Sequence, residues 1–208
     1  MNFLSSVLKF TLFILIALSC NRVKVIEIKN DQGVLIERIT TNLRDTGRLK
    51  DGFYEKFDEL GRLLESANYK DGKLDGERKI YEKGLLYSLE NYKMDLFDGP
   101  YKVFYPNGQL QLECQYINNE MSGTLKAYYP GGQLKEIVQM NGSQENGPFE
   151  EYYENGKIKA QGSYKNGPNE EGLLNLYDSL GTLIKKMNCK EGICSTIWST
   201  ELDSTKTN

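Results

Sequence analysis

The chain has 208 residues, with 26 basic and 29 acidic side chains, a formal net charge of −3, 14 tyrosines, 20 glycines and no histidine. That balance offers no clustered basic footprint for a phosphate backbone, which excludes nucleic acid as a partner. The missing histidine removes the commonest general base and a principal metal ligand together. The cysteines alone supply too few ligands for a structural zinc, so no cofactor or metal is expected.

From Phe10 to Leu18 the chain is apolar, preceded by Lys9 and followed by Ser19-Cys20-Asn21. This is the layout of a secretory segment with a small residue before a cysteine, and it is shorter than the ~20 apolar residues a membrane span needs. Residues 1–19 therefore read as a cleaved signal peptide. The tetrad Ala17-Leu18-Ser19-Cys20 resembles the lipobox of bacterial lipoproteins, with the leucine one place late. The resemblance implies lipidation of Cys20, residues 20–22 as anchor linker, and an exported protein held on a membrane of the cell envelope, facing the periplasm. Plain secretion is the alternative.

Residues 23–51 read as a capping hairpin and a polar connector: Val23 to Ile28 alternate, Asn30-Asp31-Gln32-Gly33 turns, and Val34-Leu35-Ile36 returns. Atypical terminal units cover the edges of repeat proteins.

Residues 52–192 form six units of about 24 residues. Opening glycines stand at 52, 76, 99, 123, 147 and 172, in steps of 24, 23, 24, 24 and 25, and turn glycines at 61, 84, 108, 132, 156 and 181 keep the same beat. Five residues after each opening glycine comes an aromatic: Phe57, Tyr81, Phe104, Tyr128, Tyr152, Tyr177. The closing position is Tyr69, Tyr92, Tyr116, Met140, Tyr164, Cys189. Each unit reads as a β-hairpin, because two alternating segments flank a glycine turn such as Tyr105-Pro106-Asn107-Gly108, a type I turn ending in a positive-φ glycine. In the second strand Leu110, Leu112, Cys114 and Tyr116 alternate with Gln111, Glu113 and Gln115, giving one apolar face and one wet face. Such hairpins are marginal alone and must pair edge to edge, with equivalent aromatics in ladders and the opening glycines permitting close approach or a bend. The fold class is all-β, an open antiparallel β-meander of stacked hairpin repeats in a single elongated twisted sheet.

The unit, with its opening Gly, aromatic, turn Gly and closing Tyr followed by a loop such as Lys70-Asp71-Gly72, resembles the MORN-type repeat, in the bacterial variant that carries a toxin–antitoxin antitoxin label. The resemblance spans about residues 50–192. It implies a twisted β-meander that binds proteins or membranes.

Cys189 and Cys194 flank a four-residue loop with Gly192, a placement from which they can reach disulfide geometry across a hairpin in an oxidising compartment. Two reduced thiols are the alternative. Residues 193–208 read as a cap, with Ile197 and Trp198, and a polar tail. Cys114 lies on the apolar face and reads as a small buried hydrophobe. Glu150 and Glu151 are adjacent on a strand and point to opposite faces, so they do not make a catalytic pair. The candidate binding face is Tyr101, Tyr105, Tyr129, Phe149 and Tyr153, since aromatics are enriched in interfaces. The expected activity is non-enzymatic: a lipid-anchored platform for an unidentified protein partner, with an antitoxin or immunity-like role, and carbohydrate or peptidoglycan binding through the aromatic face as the alternative.

Overall fold

The computed structural model describes residues 23–42 and 51–201. The expected signal peptide (1–19), Cys20, and segments 43–50 and 202–208 lie outside the described residues. The described residues fold as one open antiparallel sheet of 16 strands. In order they are β1 (Val23–Lys29), β2 (Leu35–Asn42), β3 (Gly52–Phe57), β4 (Leu63–Lys70), β5 (Lys73–Glu82), β6 (Leu85–Lys93), β7 (Leu96–Phe97) and β8 (Gly99–Phe104). The second half comprises β9 (Leu110–Ile117), β10 (Glu120–Tyr128), β11 (Leu134–Asn141), β12 (Gln144–Tyr152), β13 (Ile158–Tyr164), β14 (Gly172–Tyr177), β15 (Leu183–Lys190) and β16 (Ile193–Ser199). Spatial order follows the chain, except that the short β7 pairs with β6 beside the main path. The meander is the expected one.

Two turn chemistries generate it. Inside most units a type I turn closes with a bulged glycine: the Tyr105 N–H donates to the Gln109 carbonyl and the Gly108 N–H to the Tyr105 carbonyl, each at 2.8 Å, with Gly108 at φ +83°. Where the first turn residue is Asp58 or Asp178, its carboxylate accepts two backbone N–H bonds at 2.8 and 2.9 Å and pins the same geometry. Between units the links are mostly two-residue turns with both residues at positive φ, as at Asn118-Asn119 (50°, 70°) and Glu191-Gly192 (52°, 79°). This is the mirror-image turn that matches strand twist.

The opening glycines both bend the sheet and allow close approach. Across β11 and β12, Val138 pairs with Phe149 but Met140 with Glu145, so β12 carries two extra residues, one of them Gly147. At φ +121° a Cβ on Gly147 would stand 3.2 Å from Cβ of Gln139. A bulge of this kind increases local twist and bends the strand.

The sheet is one layer thick, and its buried apolar side chains share one face. Val138, Phe149 and Ala160 form a cluster packed by Leu125, Met140, Tyr164, Leu174 and Leu176. Toward the N-terminal edge, register continues this burial through Ile39, Tyr54 and Ala67. Burying each of the larger of these side chains, Val138, Phe149 and Ile39, contributes about 1.5 to 3 kcal/mol. The opposite face carries a charged row, in which Lys102 and Lys126 flank Glu113, both at 3.9 Å.

Candidate binding surface

Where unit two meets unit three, four rings converge on the apolar face. Tyr92 faces Phe97 in register, and Tyr116 faces Gly99. Ring centroids lie 4.4 Å apart for Tyr92–Phe97, 5.1 Å for Phe97–Tyr116, 5.6 Å for Tyr101–Tyr116 and 6.0 Å for Phe97–Tyr101. All four are half-buried. Offset and edge-to-face pairs of this geometry add about 0.5 to 1.5 kcal/mol each beyond area burial. Burial pushes the Tyr92 phenol up to about 12, assisted by the charge of Glu90 and a hydrogen bond to it. Phe97 was not singled out by sequence because it lies in the link between units; its signal is an apolar residue two before the opening glycine, as at Leu74 and Met121.

Beside the rings the apolar row is broken by charge. Register places Ala67, Arg78 and Glu90 side by side, and Arg78 reaches Glu65 at 2.7 Å and Glu90 at 3.1 Å. Glu90 is 7 % exposed and also accepts bonds from the Ser88 hydroxyl (3.0 Å) and the Tyr92 hydroxyl (2.9 Å). Burial opposes the charge on Arg78, but hydrogen bonding and the field of Glu65, with Tyr92 and Glu90, raise its pKa. A buried carboxylate satisfied on several sides specifies one arrangement of its neighbours.

The five residues expected to form one aromatic surface divide between two places. Phe149 is 3 % exposed and stacks on Tyr164 at 4.2 Å, so its ring is core. Tyr101 belongs to the ring cluster. Tyr105, Tyr129 and Tyr153 instead occupy the first turn position, and each hydroxyl donates to a backbone carbonyl of the following unit: Tyr128, Tyr152 and Tyr177, at 2.8, 2.7 and 2.9 Å. They tie turn to turn along the edge of the sheet, with Asn107 and Asn155 adding bonds to the Pro130 and Ser179 carbonyls. The bulge that closes each hairpin separates these tyrosines from the strand rows, so the surface of five does not form.

A second ladder runs along the opposite edge. Asp95, Asn119 and Ser143, in the between-unit turns, accept the N–H of Leu74, Phe97 and Met121 at 2.8, 2.6 and 2.8 Å. Its sequence signal is a short acceptor side chain at each of these turns, 24 residues apart.

Of the remaining candidates, Cys189 and Cys194 pair across β15 and β16 and are bridged. Cys114 is buried, and burial pushes its thiol up to about 11, away from nucleophilic character. Glu150 and Glu151 diverge, but Glu151 faces Glu136 across β11 and β12, a pairing that sequence spacing did not reveal. Burial, and then the charge of Glu151, raises Glu136, while Glu151 is held by Lys159 at 2.8 Å.

Three segments, 97–118, 121–141 and 145–166, match the family described as MORN repeat variant. They coincide with the third to fifth units, whose turns carry the tyrosine ladder. No curated protein matches the chain.

Proposed function

We propose that this chain is a non-enzymatic binding platform that takes a protein partner on the apolar face around Tyr92, Phe97, Tyr101 and Tyr116, and that Cys20 carries a lipid holding it in the bacterial envelope. Repeats of the matched type serve commonly as protein- or membrane-binding modules. The observation that carries the reading is the half-exposed ring cluster on a one-layer sheet, bordered by the fixed charge network of Arg78 and Glu90. Aromatic anchors at the centre with polar groups around them are the usual make-up of an interface. An antitoxin or immunity-like role is the form this takes if the partner is a toxic protein.

The test is crosslinking in the native host with the full chain, its Cys20→Ala variant and its Phe97→Glu variant, followed by identification of what purifies from the envelope. The glutamate is compatible with the fold, since Glu145 and Glu170 occupy the equivalent place in later units. One protein partner captured by the parent and lost with Phe97→Glu is the expected result. Glycan fragments in place of protein would replace this reading with carbohydrate binding, and unchanged fractionation of Cys20→Ala would remove the anchor.

A further inference from the structure

The tyrosine turn ladder stops short of unit two. In units three to five a tyrosine stands at the first turn position and bonds the carbonyl that ends the first strand of the next unit. Unit two is one residue short, and its turn is the two-residue Lys83-Gly84 (φ 52° and 82°) with Glu82 paired to Leu85. Glu82 holds the place of the tyrosine, and it has neither ring nor phenol hydroxyl to reach the Phe104 carbonyl, the counterpart of the Tyr128, Tyr152 and Tyr177 acceptors. A cleft of ≈ 200 Å³ lies there, lined chiefly by Leu85, Leu86, Tyr87, Phe104, Tyr105 and Pro106.

The lining differs from its counterparts in a direction that suits a ring. Leu85 is 52 % exposed, whereas Arg62, Gln109, Gln133, Lys157 and Thr182 hold the same turn position in the other units. Tyr87, 40 % exposed, replaces the Gln111, Lys135 and Lys159 of the units whose turns carry the tyrosine. Single exposed apolar residues are ordinary, but a lined apolar cleft at the step where the tyrosine ladder ends is not.

We infer that this cleft is a socket for a tyrosine side chain of a partner polypeptide, whose ring would lie against Tyr87, Phe104 and Tyr105 and whose hydroxyl would donate to the Phe104 carbonyl. The occupant is identified by the molecule itself, because a tyrosine fills the equivalent space at three other steps. It is not supplied by this chain's own segments outside the described residues: 1–22 hold only Phe3, Phe10 and Phe13 as aromatics, and 43–50 and 202–208 hold none. The inference rests on the reading that the sheet binds a protein, and it names a second contact, on the turn edge, away from the ring cluster.

The test titrates the isotope-labelled protein with N-acetyl-tyrosinamide, N-acetyl-phenylalaninamide and N-acetyl-leucinamide, following backbone amide signals. A variant in which Glu82-Lys83-Gly84 is replaced by the unit-three turn Tyr-Pro-Asn-Gly fills the cleft in cis. Expected are millimolar binding of the tyrosine amide with shifts at Leu85, Tyr87, Phe104 and Tyr105, about fivefold weaker binding without the hydroxyl, and no localised shift with leucine. The filled variant should lose binding at least tenfold and melt higher; if it fails to fold, Tyr87→Lys, with the residue found at 135 and 159, serves in its place. Equal shifts with leucinamide, or undiminished binding by the filled variant, would overturn the socket. So would self-association abolished by Tyr87→Ala, which would make a second copy the occupant. The amides need no cellular partner, so the socket and the platform reading fail separately.

Discussion

Removing one hydroxyl from the turn ladder gives the sharpest test of how the units are held together. Tyr129 donates to the Tyr152 carbonyl at 2.7 Å, half-buried, and its ring lies under the Lys135 ammonium at 6.0 Å. Tyr129→Phe keeps the ring and removes only the bond, leaving a carbonyl at the end of a strand row without its donor. A net loss of about 1 kcal/mol is expected. Unfolding entropy near 2.1 cal/mol/K per residue over roughly 170 ordered residues is about 0.36 kcal/mol/K, so the melting point should fall by about 3 °C. The triple variant at Tyr105, Tyr129 and Tyr153 should lose about 8 °C if the three bonds act independently. The assay is urea and thermal unfolding followed by circular dichroism, with Tyr87→Phe as control because Tyr87 makes no ladder bond. Hydrogen exchange should quicken first at Tyr152 and its neighbours, since in a linear array a weakened contact acts on the junction it spans. A triple variant as stable as the Tyr87→Phe control would refute the ladder as a stabilising device.

Arg78→Leu alone should cost about 3 kcal/mol, because it strands Glu90 and Glu65 without their cation; adding Glu90→Val, which recreates the Leu125 and Val138 pair of unit four, should recover most of it in a double-mutant cycle. Tyr54, Tyr92, Tyr128, Tyr152 and Tyr164 are held up to about 12 in the folded protein, most by burial and Tyr152 first by its bond to Glu150. A raised phenol contributes stability that is complete below about pH 10 and lost as pH climbs toward 12. Urea midpoints should therefore be flat to about pH 9.5 and fall beyond, and a flat profile to pH 11.5 would contradict the packing of these rings. Glu136 is shifted the other way in its effect: its raised pKa makes the ionised form a burden, so Glu136→Gln should raise the melting point at pH 7, with the gain shrinking as pH falls through the carboxylate range. Gly156→Val should damage the fold, because Gly156 sits at φ +79°, whereas Gln111→Ala on the wet face should leave the melting point within a degree or two.

Hairpins, turn type and the apolar alternation were legible in the chain because each is a local property. Gly108 takes the positive φ its turn demands, and Leu112, Cys114 and Tyr116 point together because a strand alternates. That units pair edge to edge was legible as well, but the register between them was not. The bulge at Gly147 shifts register by two residues, so nothing in the spacing told that Glu136 would face Glu151. Tyr105 and Tyr129 read as surface aromatics for the same reason, since the turn bulge that separates them from the strand rows leaves no trace in a period-two count. The short step at unit two was visible as 23 instead of 24, but its meaning depended on knowing what the turn tyrosine does elsewhere.

Because both edges of the sheet are tied one step at a time, the inheritable piece of this architecture is the unit. Excision of residues 123–146 would join Ser122 to Gly147 and bring Tyr105 before Tyr152, an acceptor of the same kind as the one it lost. Duplication would insert two strands and a further rung in each ladder. Unequal recombination can thus lengthen or shorten the platform in steps of about 10 Å, two strand spacings, without redesign of any contact. The turn after Tyr81, where the run of tyrosine rungs ends, then marks a particular address on the track.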